Sequence, residues 1–271
     1  MKLGLYQSPV SADKDENLRR AARGVRALAA RGAELVLLPE MWCCPYRTDA
    51  FPVYAEAADG PLNGALSALA RETGVWLAAG SVPEKDGGRV YNTAYVFAPD
   101  GGLAARHRKM HLFDIDVAGG QRFFESETLT AGDDITTFET PWGVFGLCVC
   151  YDLRFPELFR LMALRGARCV LTPAAFNMTT GPLHWDTLFR QRAADNQLFT
   201  VGCAPARDPA GPYVSYAHSM VASPWGRVLF RAGTRPQKAL VELDFSETDA
   251  VRAQLPMLRQ RRTDVYELRE K

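Results

Sequence analysis

Short apolar runs alternate with amphipathic stretches along almost the whole chain, and this alternation constrains the fold more than any other feature. Lys2–Gln7 reads as a first strand. Over residues 14–31, Leu18, Ala21, Ala22, Val25, Leu28 and Ala29 recur at helical spacing, and Gly32 supplies the stop. Residues 34–38 form a short apolar run closed by Pro39, the pattern of a buried strand. A helix over 62–73 ended by Gly74 follows, then strands over 75–82 and 91–98 and the turn Pro99-Asp100-Gly101-Gly102. The second half continues in the same style. Strands are expected at 143–149, 168–172 and 198–204, with helices at 156–165 and 184–196 between them. Residues 219–222 and 228–231 flank Pro224-Trp225-Gly226 as a hairpin. A last strand at 239–243 precedes a closing helix capped by Ser246. Such a sequence folds as α/β layers, with functional groups gathered at the carboxyl ends of strands.

The chain of 271 residues shows no repeat, charge block, linker or composition break, so a single domain over 1–271 is expected. At this length a core needs neither disulfides nor a structural metal. Its 47% hydrophobic and 23% charged residues exclude a disordered or fibrous protein. Lys and Arg number 32 against 31 Asp and Glu, a net +1 that argues against nucleic acid as a partner. There is no apolar run of membrane-spanning length, and the N-terminus turns polar too soon for a signal-peptide core. Six cysteines without small-scaffold spacing point to a reducing compartment, most simply the cytoplasm.

Three strand ends carry candidate chemistry. Glu40, in Leu-Pro-Glu-Met-Trp, directly follows a buried strand. It reads either as a semi-buried base with a raised pKa or as a helix cap or surface residue. The run Arg106-His107-Arg108-Lys109-Met110-His111 is either a solvated basic loop or a segment that buries one cation. His107 and His111 have a metal-like spacing but no accompanying HExxH. Cys150 lies where an apolar strand enters a polar turn and then a helix opened by Pro156, an elbow at which helical N–H groups favour a thiolate. Cys148 shares that strand face but lies deeper, as packing; Cys169 and Cys203 read the same way. Glutamate, lysine and cysteine together make an acyl-transfer set of proton carrier, oxyanion cation and nucleophile.

Read with those motifs, the chain resembles the nitrilase superfamily of carbon–nitrogen hydrolases. The superfamily's Glu-Lys-Cys triad matches Glu40 in LPEMW, Lys109 in RKMHLFD and Cys150 in CVCYDLRFPEL. The resemblance runs to about Tyr266. HLFDIDVAGGQRFFESETLTAG, PAAFNMTTGPLHWDTLFRQRAADNQLF, CAPARD and LPMLRQRRTDVYEL resemble the omega-amidase, or Nit2-like, branch. The resemblance implies a four-layer α-β-β-α sandwich, a homodimer formed through one helical layer, and no metal or organic cofactor. It implies hydrolysis of the terminal amide of 2-oxoglutaramate or 2-oxosuccinamate to a 2-oxo acid and ammonia, through a thioester on Cys150. Glu125 is then a supporting glutamate, with Glu127 the lesser match, and the backbone N–H of Tyr151 joins Lys109 at the oxyanion. Tyr46, Arg154, Asn177 and Thr179 are implied candidates for the substrate's carboxylate, although Arg154 reads equally as an ion-pair partner of Asp152 or Glu157. Met41-Trp42-Cys43-Cys44 departs from the smaller, more polar residues of that branch, which bears on the acyl group rather than the reaction. Cys43-Cys44 reads as packing.

Alternatives remain at this level. Within the class they are the Nit1-like amidase of deaminated glutathione, other acyl amidases and N-carbamoyl hydrolases. Outside it are a catalytically silent interaction module and a Cys148-x-Cys150 redox or metal pair.

Overall fold

The computed structural model describes residues 1–271. In chain order the elements are β1 (Lys2–Gln7), α1 (Lys14–Ala29), β2 (Leu35–Leu37), α2 (Phe51–Tyr54), α3 (Pro61–Thr73), β3 (Trp76–Asp86), β4 (Arg89–Phe97) and β5 (Leu103–Arg108). There follow β6 (Asp114–Asp116), β7 (Arg122–Phe124), β8 (Thr136–Thr140), β9 (Gly143–Leu147), α4 (Pro156–Leu164), β10 (Cys169–Pro173) and α5 (Gly181–Asn196). β11 (Phe199–Cys203), β12 (Met220–Ala222), β13 (Val228–Arg231), β14 (Gln237–Glu242) and α6 (Ser246–Gln254) complete the chain.

Two six-stranded sheets share one pattern. The first runs β14-β1-β2-β3-β4-β5 and the second β13-β12-β11-β10-β9-β8. In each, three neighbouring strands are parallel, β1-β2-β3 and β9-β10-β11, and the strands outside them pair antiparallel. The parallel strands are buried along their whole length or nearly so, which is why 35–37 and 169–173 read as unbroken apolar runs. The sheets pack face to face, with β3 against β10, β1 against β11 and β5 against β8. Leu3, Leu5 and Leu37 thereby join Leu147, Leu171 and Val201 in one core. α1 and α3 cover the outer face of the first sheet, and α4 and α5 that of the second, giving the α-β-β-α order.

Local chemistry sets the element ends. The side chain of Asp13 accepts from Glu16 N at 2.8 Å and caps α1; Gly74, at φ 66°, ends α3 in the left-handed conformation. Ser246 is the first residue of α6 rather than its cap, and Asp244 accepts its N–H at 3.0 Å. β5, β8 and the β6–β7 hairpin had no clear apolar signal. Only Ala105 and His107 of β5 are buried, and β6 and β7 hold no fully buried residue. No helix is long and apolar enough to cross a membrane.

Candidate active site

Glu40 follows β2 in a turn with no freedom to wander. Gly80, at φ 67°, sits in a bulge of β3 so close to that turn that a Cβ there would lie 2.1 Å from Pro39 O. Ser81 N donates to Pro39 O at 3.1 Å, and Ser81 Oγ accepts from Met41 N at 3.2 Å. Trp42, 1% exposed, donates its Nε1–H to Ala79 O at 2.7 Å. The bulky residue next to the base is therefore packed into the wall beneath it. Cys43 and Cys44 are buried there too, with unpaired thiols.

Lys109 follows β5 and is fully buried. Its Nζ stands 3.0 Å from Glu40 Oε1, and 2.9 and 2.8 Å from the two oxygens of Glu125. Glu125 opens a short 3-10 turn and accepts Phe113 N at 2.7 Å. Glu127 lies outside this cluster, 3.4 Å from Thr48 Oγ1. Asn92, on β4, donates to Glu40 Oε1 at 2.8 Å. Tyr46 OH lies 2.6 Å from Glu125 Oε1 and 3.2 Å from Glu40 Oε1. Tyr46 thus bonds the carboxylates while also bounding the cleft beside Glu40. Glu40 Oε2 has no hydrogen-bond partner.

Two carboxylates share one ammonium here, so the charges do not cancel. Burial raises the Glu40 carboxyl above its ordinary value; Lys109 pulls it back and Glu125 pushes it further up. Burial alone would lower Lys109, but the Glu125 and Glu40 carboxylates outweigh it and lift the ammonium above its ordinary value. Such a group stays charged while its neighbours exchange protons.

Cys150 occupies a turn of 3-10 helix, Cys150–Arg154, with a left-handed φ of 47°. A non-glycine residue held there costs on the order of 1–3 kcal/mol and needs firm surroundings. Asp152 provides them: it is fully buried and accepts from Val149 N at 3.0 Å and His111 N at 2.9 Å. His107 Nε2 and His111 Nδ1 approach it at 3.0 and 2.7 Å. Both histidines therefore serve Asp152, which answers the question their spacing raised. Cys148 lies just beyond β9, which ends at Leu147, and is fully buried. Its thiol meets Thr172 Oγ1 at 3.3 Å.

The thiolate expected at the elbow is corrected by its surroundings. Burial pushes the Cys150 thiol well above its ordinary value and the Glu40 carboxylate adds to the rise. Lys109 and the backbone N–H of Ala175 oppose it without prevailing. α4 begins six residues further on, too far to tip the balance. The thiol rests protonated and must give up its proton as it attacks.

Phe113, Tyr151, Arg154, Ala175, Phe176 and Thr180 wall the tight cavity at Cys150. On the Glu40 side a cleft of about 650 Å³ is bounded by Tyr46, Arg207 and Tyr213. Arg154 pairs with neither Asp152 nor Glu157. Its guanidinium lies over the Phe176 ring at 4.9 Å, one NH donates to His184 Nδ1 at 2.9 Å, and its Nε is buried without a partner. Asn177 lies outside the cavity wall, its amide spent on Thr180 and Gln121. Thr179 packs toward Gly120, and its neighbour Thr180 lines the cavity instead. Tyr213 is one residue sequence reasoning missed: its ring centroid is 4.5 Å from that of Tyr46, and its hydroxyl donates to Ala175 O. Asn92 is another, and an asparagine inside a buried strand was the available signal.

The model of the family described as carbon–nitrogen hydrolase matches residues 2–253. Omega-amidase NIT2 of Xenopus tropicalis is 47% identical over 270 residues, covering 100% of this chain and 98% of that protein. Among solved structures, Saccharomyces cerevisiae Nit3, a member of branch 10 of the nitrilase superfamily, superposes with a TM-score of 0.89. It is 40% identical, over 97% of this chain and 96% of that one. A mutant amidase from Nesterenkonia sp. AN1, with the acetamide moiety of fluoroacetamide added covalently at the active site cysteine, superposes at 0.81. It is 26% identical, over 98% and 95% of the two chains. A family match across more than nine-tenths of the sequence, with the same sandwich in both solved structures, makes this chain a member of the carbon–nitrogen hydrolase family.

Proposed function

We propose that this hydrolase is an omega-amidase, releasing ammonia from the terminal amide of 2-oxoglutaramate or 2-oxosuccinamate. The observation that carries the reading is Arg154: a cation beside the nucleophile, without a carboxylate partner and with a buried, unsatisfied Nε. A dicarboxylate-derived amide brings the missing carboxylate. The name carried by the Xenopus relative supports the same substrate class.

In this mechanism Cys150 attacks the amide carbon while Glu40 takes the thiol proton, then delivers it to the leaving ammonia. Lys109 and the Tyr151 backbone N–H hold the oxyanion, and Glu125 keeps Lys109 in place. Water activated by Glu40 then cleaves the thioester. No step uses a metal or an organic cofactor. A homodimer through one helical layer belongs to the same reading. So does a cytoplasmic setting, consistent with six unpaired thiols.

The test is ammonia release from 2-oxoglutaramate, 2-oxosuccinamate, deaminated glutathione, an N-carbamoyl amino acid and a neutral aliphatic amide. The proposal expects the two short 2-oxo acid amides to give the highest kcat/KM. Faster turnover of deaminated glutathione would transfer the assignment to the sister amidase.

A further inference from the structure

We propose that Asn92 is a positioning residue for the base: with Lys109 it occupies Glu40 Oε1 with donors, so that protons pass between Cys150 and the leaving group through Oε2. This inference rests on the reading of Glu40 as the base.

Two donors meet at one oxygen, with the Tyr46 hydroxyl beside them giving its single hydrogen to Glu125 Oε1 at 2.6 Å. Asn92 Nδ2 lies 2.8 Å from Oε1, Lys109 Nζ 3.0 Å and Tyr46 OH 3.2 Å, while Oε2 has no partner. A proton arriving at Oε1 would displace one of these donors, whereas Oε2 accepts it without breaking a bond. The carboxylate is thus oriented as well as stabilised. Asn92 is fully buried on β4, where an amide is costly unless bonded. Its orientation is fixed by chemistry, since the reversed amide would set two acceptor oxygens face to face. Its backbone carbonyl also accepts Lys109 N at 2.8 Å, so one residue holds both the base and the chain that carries the cation. Asn92 Oδ1 has no partner either, which leaves two acceptors in this cluster for donors on a substrate amide or a water.

The consequence is a pH profile. The titratable groups that act on Glu40 are Lys109 beyond β5, Glu125 on its 3-10 turn, Tyr46 after β2, Cys150 after β9, and Tyr213 on the segment after β11. Replacing Asn92 leaves all of them in place and removes one donor from the carboxylate. A lost donor favours the protonated acid, so the acid limb of kcat/KM moves to higher pH.

The experiment measures kcat/KM against pH for the wild type, Asn92→Leu and Asn92→Asp, using whichever amide the wild type turns over fastest. Asn92→Leu is expected to shift the acid limb upward by about one pH unit or more. Asn92→Asp, nearly isosteric, carries the test if the leucine variant does not fold. Its added acid raises the limb too, whether it repels Glu40 or shares a proton with it. A lower melting temperature with the limb unmoved in the folded variants would overturn the proposal and leave Asn92 a structural residue. Glu40→Gln separates the two levels: if it retains turnover, the base assignment itself has failed. If it is inactive while the Asn92 limb stays put, only this inference has.

Discussion

His107 Nε2 lies 3.0 Å from Asp152 Oδ2, and this buried contact ties the strand that leads to Lys109 to the turn that carries Cys150. His107 stands on the first sheet and Asp152 at the end of the second, so cation and nucleophile are registered across the interface between sheets. Asp152→Ala would leave the N–H groups of Val149 and His111 and both imidazoles without their acceptor. A loss of about 3 kcal/mol or more is expected, read as a lower urea midpoint at unchanged m.

The same aspartate gives a pH dependence. Burial alone would raise its carboxyl, but hydrogen bonds from His107 and His111 outweigh burial and hold it below the ordinary carboxylate range. A depressed folded value contributes stability that is complete above the unfolded value, near about pH 4, and is lost as pH falls through the folded value. Wild-type stability should therefore drop more steeply below about pH 4 than that of Asp152→Ala, as acid titrations of both by circular dichroism would reveal.

The two cysteines of Cys148-x-Cys150 should behave oppositely. Cys150→Ala removes the thiol facing Glu40 and should abolish ammonia release with the fold intact. Cys148→Ala trims a buried side chain beside Thr172 and should keep most of the activity, at about 1 kcal/mol of stability. Activity in the first and none in a folded second variant would reverse the assignment.

Lys109→Met strands two buried carboxylates. Turnover should vanish, and stability should fall by about 3–5 kcal/mol. Adding Glu125→Gln removes one of the stranded charges, so the double variant should regain stability without regaining activity. Equal midpoints for the single and double variants would contradict this charge account.

Arg154→Ala should raise KM for 2-oxoglutaramate and lower its kcat/KM by about 10²-fold or more, while a neutral aliphatic amide loses far less. Equal losses on both substrates would make Arg154 a packing residue.

Most of the layered fold was legible because its central strands are buried on both faces and its helices show one apolar stripe. β5 and β8 escaped because strands that expose part of themselves alternate weakly, and residues 106–111 read as a basic loop. The structure takes the other reading of that segment, a buried cation: His107 and Lys109 face inward while Arg106 and Arg108 reach Glu84. Glu40, Lys109 and Cys150 were legible as motif residues, and so was Glu125. Their geometry was not, because it depends on contacts between segments far apart in sequence: Asn92 and Tyr46 on the base, Asp152 on two histidines, Tyr213 over Tyr46. Asn177 and Thr179 sit among residues that resemble the family's motifs; the local turn engages the amide of the first, and the second packs toward Gly120.

The central claim is a thioester on Cys150. The most direct measurement is intact mass, followed by peptide mapping, of enzyme quenched in acid during steady-state turnover of 2-oxoglutaramate. The account predicts a mass increase equal to the acyl group, confined to the peptide that contains Cys150 and absent from Cys150→Ala. Ammonia release at the wild-type rate with unmodified protein at every quench time, and persisting in Cys150→Ala, would contradict it.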